Sequence, residues 1–198
     1  MRRIIDVFLA SVGLVMLIPI MLLIGFSIFL SSGTPVLFRQ VRVGRNCKPF
    51  VLIKFRTMTN ARDNSGCLLG DSQRTTRLGR LLRRFRIDEL PELWNIITGE
   101  MSFIGPRPLL ETSFATQGSA GRVRATVRPG LTGWAQINGN TLLSDEEKLA
   151  LDLWYTENVS LAIDLKILVK TFETLLFGER IDQIELRRAR ESYHHRCG

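Results

Sequence analysis

The sequence predicts an α+β fold in which a membrane-inserted N-terminal helix precedes amphipathic helices and a small domain containing a β-hairpin. Three observations carry this. No residue from 7 to 38 is charged, and residues 7–30 are almost wholly apolar. Two short runs rich in Val, Leu, Ile and Phe, at 35–43 and 50–55, are separated by the turn formers Gly44, Asn46 and Pro49, the signature of a hairpin. Residues 75–87 place Leu78, Leu81, Leu82 and Phe85 at i, i+3, i+4 and i+7, one face of a helix.

The apolar run would be roughly 36 Å long as a straight helix, enough to cross a hydrocarbon core of about 30 Å. Three readings meet here. A cleaved signal peptide would have a shorter apolar run and a small-residue cleavage site. A spanning helix conflicts with Pro19, which removes a backbone donor in mid-helix and predicts a bend. Basic residues also flank both ends: Arg2 and Arg3 before, then Arg39, Arg42, Arg45 and Lys48 after. Basic flanks favour the cytoplasmic side. A helix that enters, bends at Pro19 and leaves by the same face satisfies both, with a spanning helix as the alternative. The domain expectation is a re-entrant membrane helix over 1–33, a cytoplasmic-face domain over 34–178, and a charged tail over 179–198.

Residues 60–72 are polar, with Gly66 and Gly70, and read as a mobile loop. Around 75–87, Arg74, Arg77, Arg80, Arg83, Arg84 and Arg86 crowd the face opposite the leucines. Such a helix either lies in a membrane interface or packs on a core with a solvated basic side. Residues 90–98 form a short helix candidate, with Pro91 in its first turn and Gly99 as its stop. Residues 105–140 are rich in Gly and Pro and suggest loops with short strands. Ser144 and Glu147 make a capping box that opens a helix to about Glu157. Ser160 caps a last helix whose apolar face is Ile163, Ile167, Leu168, Phe172, Leu175 and Leu176. The remainder, from Gly178, reads as frayed.

The 198 residues suit one compact domain, and 27 basic against 19 acidic residues give a net charge of +8. A basic chain points to polyanionic partners: nucleic acid, anionic lipid or phosphorylated small molecules. A nucleic-acid binder would interleave aromatics with its basic residues. Here the arginines accompany an apolar helix face and follow an anchor, so no nucleic-acid partner is expected. Cys47, Cys67 and Cys197 are far apart and odd in number, which argues against a disulfide framework or a zinc knuckle. The two histidines, His194 and His195, stand at the C-terminus, which argues against a histidine-based triad.

No P-loop, dinucleotide fingerprint or nucleophile elbow occurs. What remains is Asp88-Glu89-Leu90-Pro91, just after the arginine-rich helix and at the start of the next. A helix N-terminus favours an ionised carboxylate and attracts phosphate. The arrangement suits an Asp that stays charged, holds Mg²⁺ and attacks phosphorus, although Asp before a short helix also serves as a plain N-cap. Arg107, fixed between Pro106 and Pro108, is pre-oriented for two hydrogen bonds to a phosphate. In the run 128–139 glycines permit close backbone approach to a ligand. In Lys54-Phe-Arg-Thr-Met58, strand alternation places Lys54 and Arg56 on one face. A membrane-tethered scaffold without activity would have no need of the Asp-Glu pair or the Pro-Arg-Pro turn.

Taken together, PVLFRQVRVGR, FVLIKFRTM, RRFRIDELPELWNIITGEMSFIGPRP, RPGLTGWAQINGN and LDLWYTENVSLAIDLKILVKT resemble the bacterial sugar transferase family, the small monotopic polyprenyl-phosphate phosphoglycosyl transferases. The runs stand in family order from Pro35 to Thr171. The resemblance implies a catalytic domain at the cytoplasmic face of the bacterial inner membrane, with a UDP-sugar, polyprenyl phosphate and the lipid bilayer as partners and Mg²⁺ as cofactor. Asp88 would be the nucleophile and metal ligand, and Glu89 the second acid of the pair. Lys54, Arg83, Arg107, Arg128 and Gln136 would bind substrate. A homo-oligomer is left open, as is the identity of the sugar. Three departures stand out. Asn46-Cys47 replaces the usual Asn-Gly, Glu92 stands where Gln is common, and Asn140 where Arg often stands.

Overall fold

The computed structural model describes residues 2–197, with the backbone alone for 194–197, so the side chains of His194 and His195 lie outside the described residues. The α+β expectation holds: helices dominate, and four short strands form two two-stranded sheets among the described residues. The chain divides into two compact units, Met1–Gln40 with Val51–Thr98, and Val41–Phe50 with Gly99–Gly198.

In the first unit, α1 (Arg2–Ser32) runs through Pro19 as one helical element. Among the described residues it is the one helix long and apolar enough to cross a membrane. Only Ala10 and Ile28 within it are buried; Phe8, Met16, Leu22, Leu23 and Phe26 are exposed. Arg3 near its start donates to the carbonyls of Ile96 and Ile97, the latter at 2.7 Å. Near its end Ile28, with Met21 and Ile24, packs against Phe55 and Leu82. Strands β1 (Leu37–Val43) and β2 (Pro49–Phe55), whose turn-proximal residues 41–50 belong to the second unit, form the expected hairpin sheet. Its turn has positive φ at both Asn46 (55°) and Cys47 (61°), closed by Lys48 N–H to Arg45 O at 3.2 Å. That is the primed turn an Asn-Gly pair would form, with Cys47 in the left-handed region.

Short α2 (Asp71–Arg74) and α3 (Arg77–Arg84) follow. The segment before them, read as a mobile loop, carries a bridge between Arg62 and Leu68, and Asp63 Oδ1 accepts from the backbone N–H of Ser65 and Cys67. Thr76 caps α3 by accepting from Gly79 N–H at 2.8 Å. Gly79 lies so near the Thr57 carbonyl that a Cβ would meet its oxygen at 2.1 Å, so α3 sits directly on the end of β2. The expected apolar face of α3 divides. Leu82 is buried and Leu78 packs beside it, whereas Leu81 and Phe85 are exposed. Helix α4 (Glu92–Thr98) realises the helix expected over 90–98 but begins just after Pro91, which lies before its first turn rather than in it. Buried Asn95 ties it to β2: its Nδ2 donates to Val51 O (2.8 Å) and its Oδ1 accepts from Ile53 N–H (3.2 Å).

In the second unit, β3 (Ser102–Ile104) precedes α5 (Glu111–Ala115) and α6 (Gly118–Arg124), then β4 (Gly130–Thr132) pairs parallel to β3 with Ser102 opposite Gly130. After α7 (Trp134–Ile137), α8 (Asp145–Glu157) opens with the predicted capping box. Ser160 caps α9 (Leu161–Phe177) by accepting from Ile163 N–H. The core gathers Trp134, Ile137, Leu151, Tyr155 and Ile167, with Trp134 stacked on Trp154 at 4.9 Å between centroids. Of the apolar face predicted for α9, Ile167 alone is buried, and Phe172 and Leu176 are exposed. The stretch read as frayed is instead helical in α10 (Gln183–Cys197). Leu186 and Ala189 enter the core, and Lys170 and Lys166 pair with Asp182 and Glu185 at 2.8 Å each, so charge pairing holds a helix whose sequence shows little apolar patterning.

Candidate active site

Asp88 and Glu89 sit in a 3-10 turn, Ile87–Glu89, between α3 and α4. Arg86 adopts the left-handed conformation (φ 54°, ψ 23°), which ends α3 and turns the chain into that carboxylate pair. Such strain in a residue other than glycine costs about 1–2 kcal/mol and gathers at functional sites. Asp88 is partly buried, and Glu89 is fully buried.

Lys54, on β2, projects onto this turn. Its Nζ lies 2.7 Å from Glu89 Oε1 and 3.0 Å from Glu92 Oε1. Lys54 thus bridges two carboxylates, and Glu92, noted from sequence as an added negative charge, is buried against it. Arg83 Nε donates to Thr57 Oγ1 at 2.9 Å, which ties α3 to the residue that receives Gly79. Arg56 donates to Met58 O and Thr34 O, whereas Lys54 meets the carboxylates. Burial, then the neighbouring charge of Glu89, pushes the Asp88 carboxyl above the usual carboxylate range; Lys54 and Arg83 oppose the shift. Burial thus works against the ionised form that helix position alone favours.

Among the described residues no group of three or more His, Cys, Asp or Glu side chains could hold a metal. Mg²⁺ needs no such cage, since it is often held by one or two carboxylates together with substrate phosphates and water. Asp88, flanked by Glu89, has the hard oxygen donors that fit it.

The second unit carries the other sequence-predicted residues. Arg107 is partly buried between buried Pro106 and Pro108. Arg128 donates from Nε to Gly99 O at 3.0 Å. Gln136 is 3% exposed, and neither atom of its amide has a hydrogen-bond partner, the condition of a buried group completed by water or a ligand. Asn140, where Arg often stands, donates to Glu179. Sequence reasoning did not find Glu92 as a partner of Lys54, nor Arg124 and Asp152. Arg124 Nη2 donates to Arg107 O at 2.6 Å while the same guanidinium grips Asp152.

An exposed apolar helix, and a partly buried Asp88 and buried Glu89 set among lysine and arginine, define a membrane-associated enzyme. Comparison with known proteins gives its kind. The pattern described as Bacterial sugar transferase matches residues 1–178, and the chain belongs to that family. A Bacillus subtilis (strain 168) protein described as uncharacterized sugar transferase EpsL is 50% identical over 154 residues, covering 78% of this chain and 76% of its own. The UDP-N-acetylgalactosamine-undecaprenyl-phosphate N-acetylgalactosaminephosphotransferase of Aeromonas hydrophila is 36% identical over 185 residues; the match covers 89% of this chain and 44% of that protein. The UDP-glucose:undecaprenyl-phosphate glucose-1-phosphate transferase of Caulobacter vibrioides is 38% identical over 186 residues, covering 88% of this chain and 69% of its own.

Proposed function

We propose that this enzyme transfers a sugar-1-phosphate from a UDP-sugar to undecaprenyl or a related polyprenyl phosphate, in two steps through Asp88. The observation that carries the reading is Asp88 itself: a partly buried carboxylate beside Glu89, Lys54 and Arg83, raised in basicity by burial. Relatives named for this reaction on UDP-glucose and UDP-N-acetylgalactosamine support it.

In the first step a carboxylate oxygen of Asp88 bonds to the sugar-bearing phosphorus as the bond to the UMP oxygen breaks, and UMP leaves with that electron pair. In the second, a phosphate oxygen of the polyprenyl phosphate bonds to the same phosphorus, the acyl phosphate bond breaks, and the carboxylate is restored. This is covalent catalysis through an activated carboxylate. Lys54 holds Glu89 in place, Arg83 adds positive charge nearby, and Arg107, Arg128 and Gln136 take the substrate-binding roles. Asp88, with Glu89 beside it, would hold a Mg²⁺, which would supply charge neutralisation for the diphosphate.

The helix over 1–33 serves as a re-entrant membrane anchor, with the catalytic part at the cytoplasmic face of the inner membrane. The support is that Arg3 and Ile28, near opposite ends of α1, both engage the same compact unit.

The test is UMP release with undecaprenyl phosphate across UDP-glucose, UDP-galactose, UDP-N-acetylglucosamine and UDP-N-acetylgalactosamine. Mass spectrometry of enzyme incubated with the best donor, acceptor omitted, accompanies it. The expected result is phospho-sugar mass on the peptide containing Asp88. Label on another residue, or turnover by Asp88→Asn, overturns the reading.

A further inference from the structure

Pro106 and Pro108 carry no N–H, so the backbone around Arg107 offers mainly carbonyls by which it can be held. Four consecutive carbonyls are in fact gripped. Gly130 N–H donates to Pro106 O at 2.9 Å, Arg124 Nη2 to Arg107 O at 2.6 Å, Arg42 Nη1 to Pro108 O at 3.3 Å, and Val43 N–H to Leu109 O at 2.9 Å.

The grip on Arg107 differs from the others in kind. It comes from a buried guanidinium whose Nε and Nη2 lie 2.8 Å and 2.7 Å from Asp152 Oδ2, with side-chain exposures of 8% and 3%. Arg124 ends α6 and Asp152 lies in α8, so the pair joins two helices to the turn. Asp152 Oδ1 is buried without a partner, so this carboxylate is not fully satisfied. A buried ion pair is weak evidence for stability, because an apolar pair of similar volume often does as well or better. Its geometry here is suited to another task, since Nη2 is shared between Asp152 and the Arg107 carbonyl.

We infer that Arg124 and Asp152 are positioning residues for the enzyme's reaction: Asp152 fixes the guanidinium of Arg124, and Arg124 fixes the backbone from which the Arg107 side chain reaches a substrate phosphate. This rests on the phosphate-binding role of Arg107 in the proposed function. Only a planar fork carries out both contacts at once, so lysine cannot replace Arg124.

The experiment uses the full chain in detergent with undecaprenyl phosphate and the best donor of the panel above. The double substitution Arg124→Met with Asp152→Leu replaces the buried pair by apolar side chains. Arg124→Lys keeps the charge and is the second variant should the first not fold. Both are expected to lower kcat/KM by about tenfold to a hundredfold, chiefly through KM for the UDP-sugar. Amide hydrogen exchange at Gly130 and Val43, whose N–H groups donate to Pro106 O and Leu109 O, should quicken while the thermal midpoint is held. In an Arg107→Ala background, the same substitutions should cost no further activity. Unchanged exchange at Gly130 and Val43 overturns the inference, as do losses that multiply in that background. If Arg107→Ala leaves KM unchanged, the phosphate role of Arg107 fails, and the exchange measurement still decides whether the clamp exists.

Discussion

Lys54 and Glu89 are joined by an ion pair of 2.7 Å, and Glu89 is the residue next to Asp88 in the chain. The same ammonium also meets Glu92, so one cation serves two buried carboxylates and still lowers the Asp88 carboxyl from the value burial would impose. Lys54→Met withdraws that charge from both. Removing one partner from a buried pair costs about 3–5 kcal/mol. The thermal midpoint should therefore fall sharply, and adding Glu92→Gln should recover part of the loss. In whatever activity remains, the acidic limb of the pH–rate profile should move to higher pH, because the cation that favoured ionised Asp88 is gone. An unmoved limb would show that Lys54 does not act on Asp88.

Asp88 should oppose folding at neutral pH. Its carboxyl is raised, so the folded state favours the protonated form. The stability this group contributes is fully present below the ordinary carboxylate pKa and is lost as pH rises through the elevated folded value. Asp88→Asn removes the ionisation. It should unfold at a higher temperature than the parent enzyme at pH 7.5, with the gap closing as pH falls toward 4. Stability gained as activity is lost would fit a site held against its own charge. A lower midpoint for Asp88→Asn at pH 7.5 would contradict this.

Cys47 holds φ of 61° in an exposed turn, a conformation glycine adopts without strain. Cys47→Gly should stabilise the enzyme by about 1 kcal/mol, strain relief exceeding the extra entropy of the unfolded chain. Denaturation midpoints of the two proteins decide the matter, and a less stable glycine variant would mean that the turn carries no strain there.

Topology follows from the two ends of α1. With Cys47, Cys67 and Cys197 replaced by serine, a cysteine at Arg2 and one at Arg42 should both resist an impermeant maleimide applied to intact cells. Both should react after permeabilisation. Labelling of the Arg2 position alone in intact cells would establish a spanning helix.

The parts legible in the sequence are those whose cause is local. The Ser144–Glu147 capping box, the Ser160 cap and the Asn46-Cys47 turn each involve residues within a few positions of one another, and each is present. The Asp88-Glu89 pair was visible as a motif. Lys54 and Arg83 were legible as site cations, but the pairing of Lys54 with Glu89 and Glu92 was not, because Lys54 lies 35 positions from Glu89 and no periodicity links them. The Arg124–Asp152 pair escaped for the same reason. In α3 and α9 the apolar residues were read correctly as stripes, but a stripe does not say whether protein or lipid covers it, and Leu81, Phe85, Phe172 and Leu176 are exposed. In α10 the helix is held by Leu186 and Ala189 in the core and by ion pairs of Asp182 and Glu185 to α9, contacts that only folding brings together.

The parallel pair β3 and β4 meets with bare backbone. A Cβ on Gly130 would stand 2.1 Å from Gly105 N, and one on Gly133 would stand 2.1 Å from Gly105 O. The joint therefore has a tolerance smaller than a single carbon atom, and it is set by what is missing from these positions rather than by what fills them. Side chains in the surrounding core can drift through isosteric exchanges without altering the spacing, whereas one methyl group at Gly105, Gly130 or Gly133 would wedge the strands apart. Spacing beside the Pro-Arg-Pro turn is in this sense set by three positions that carry no side chain at all.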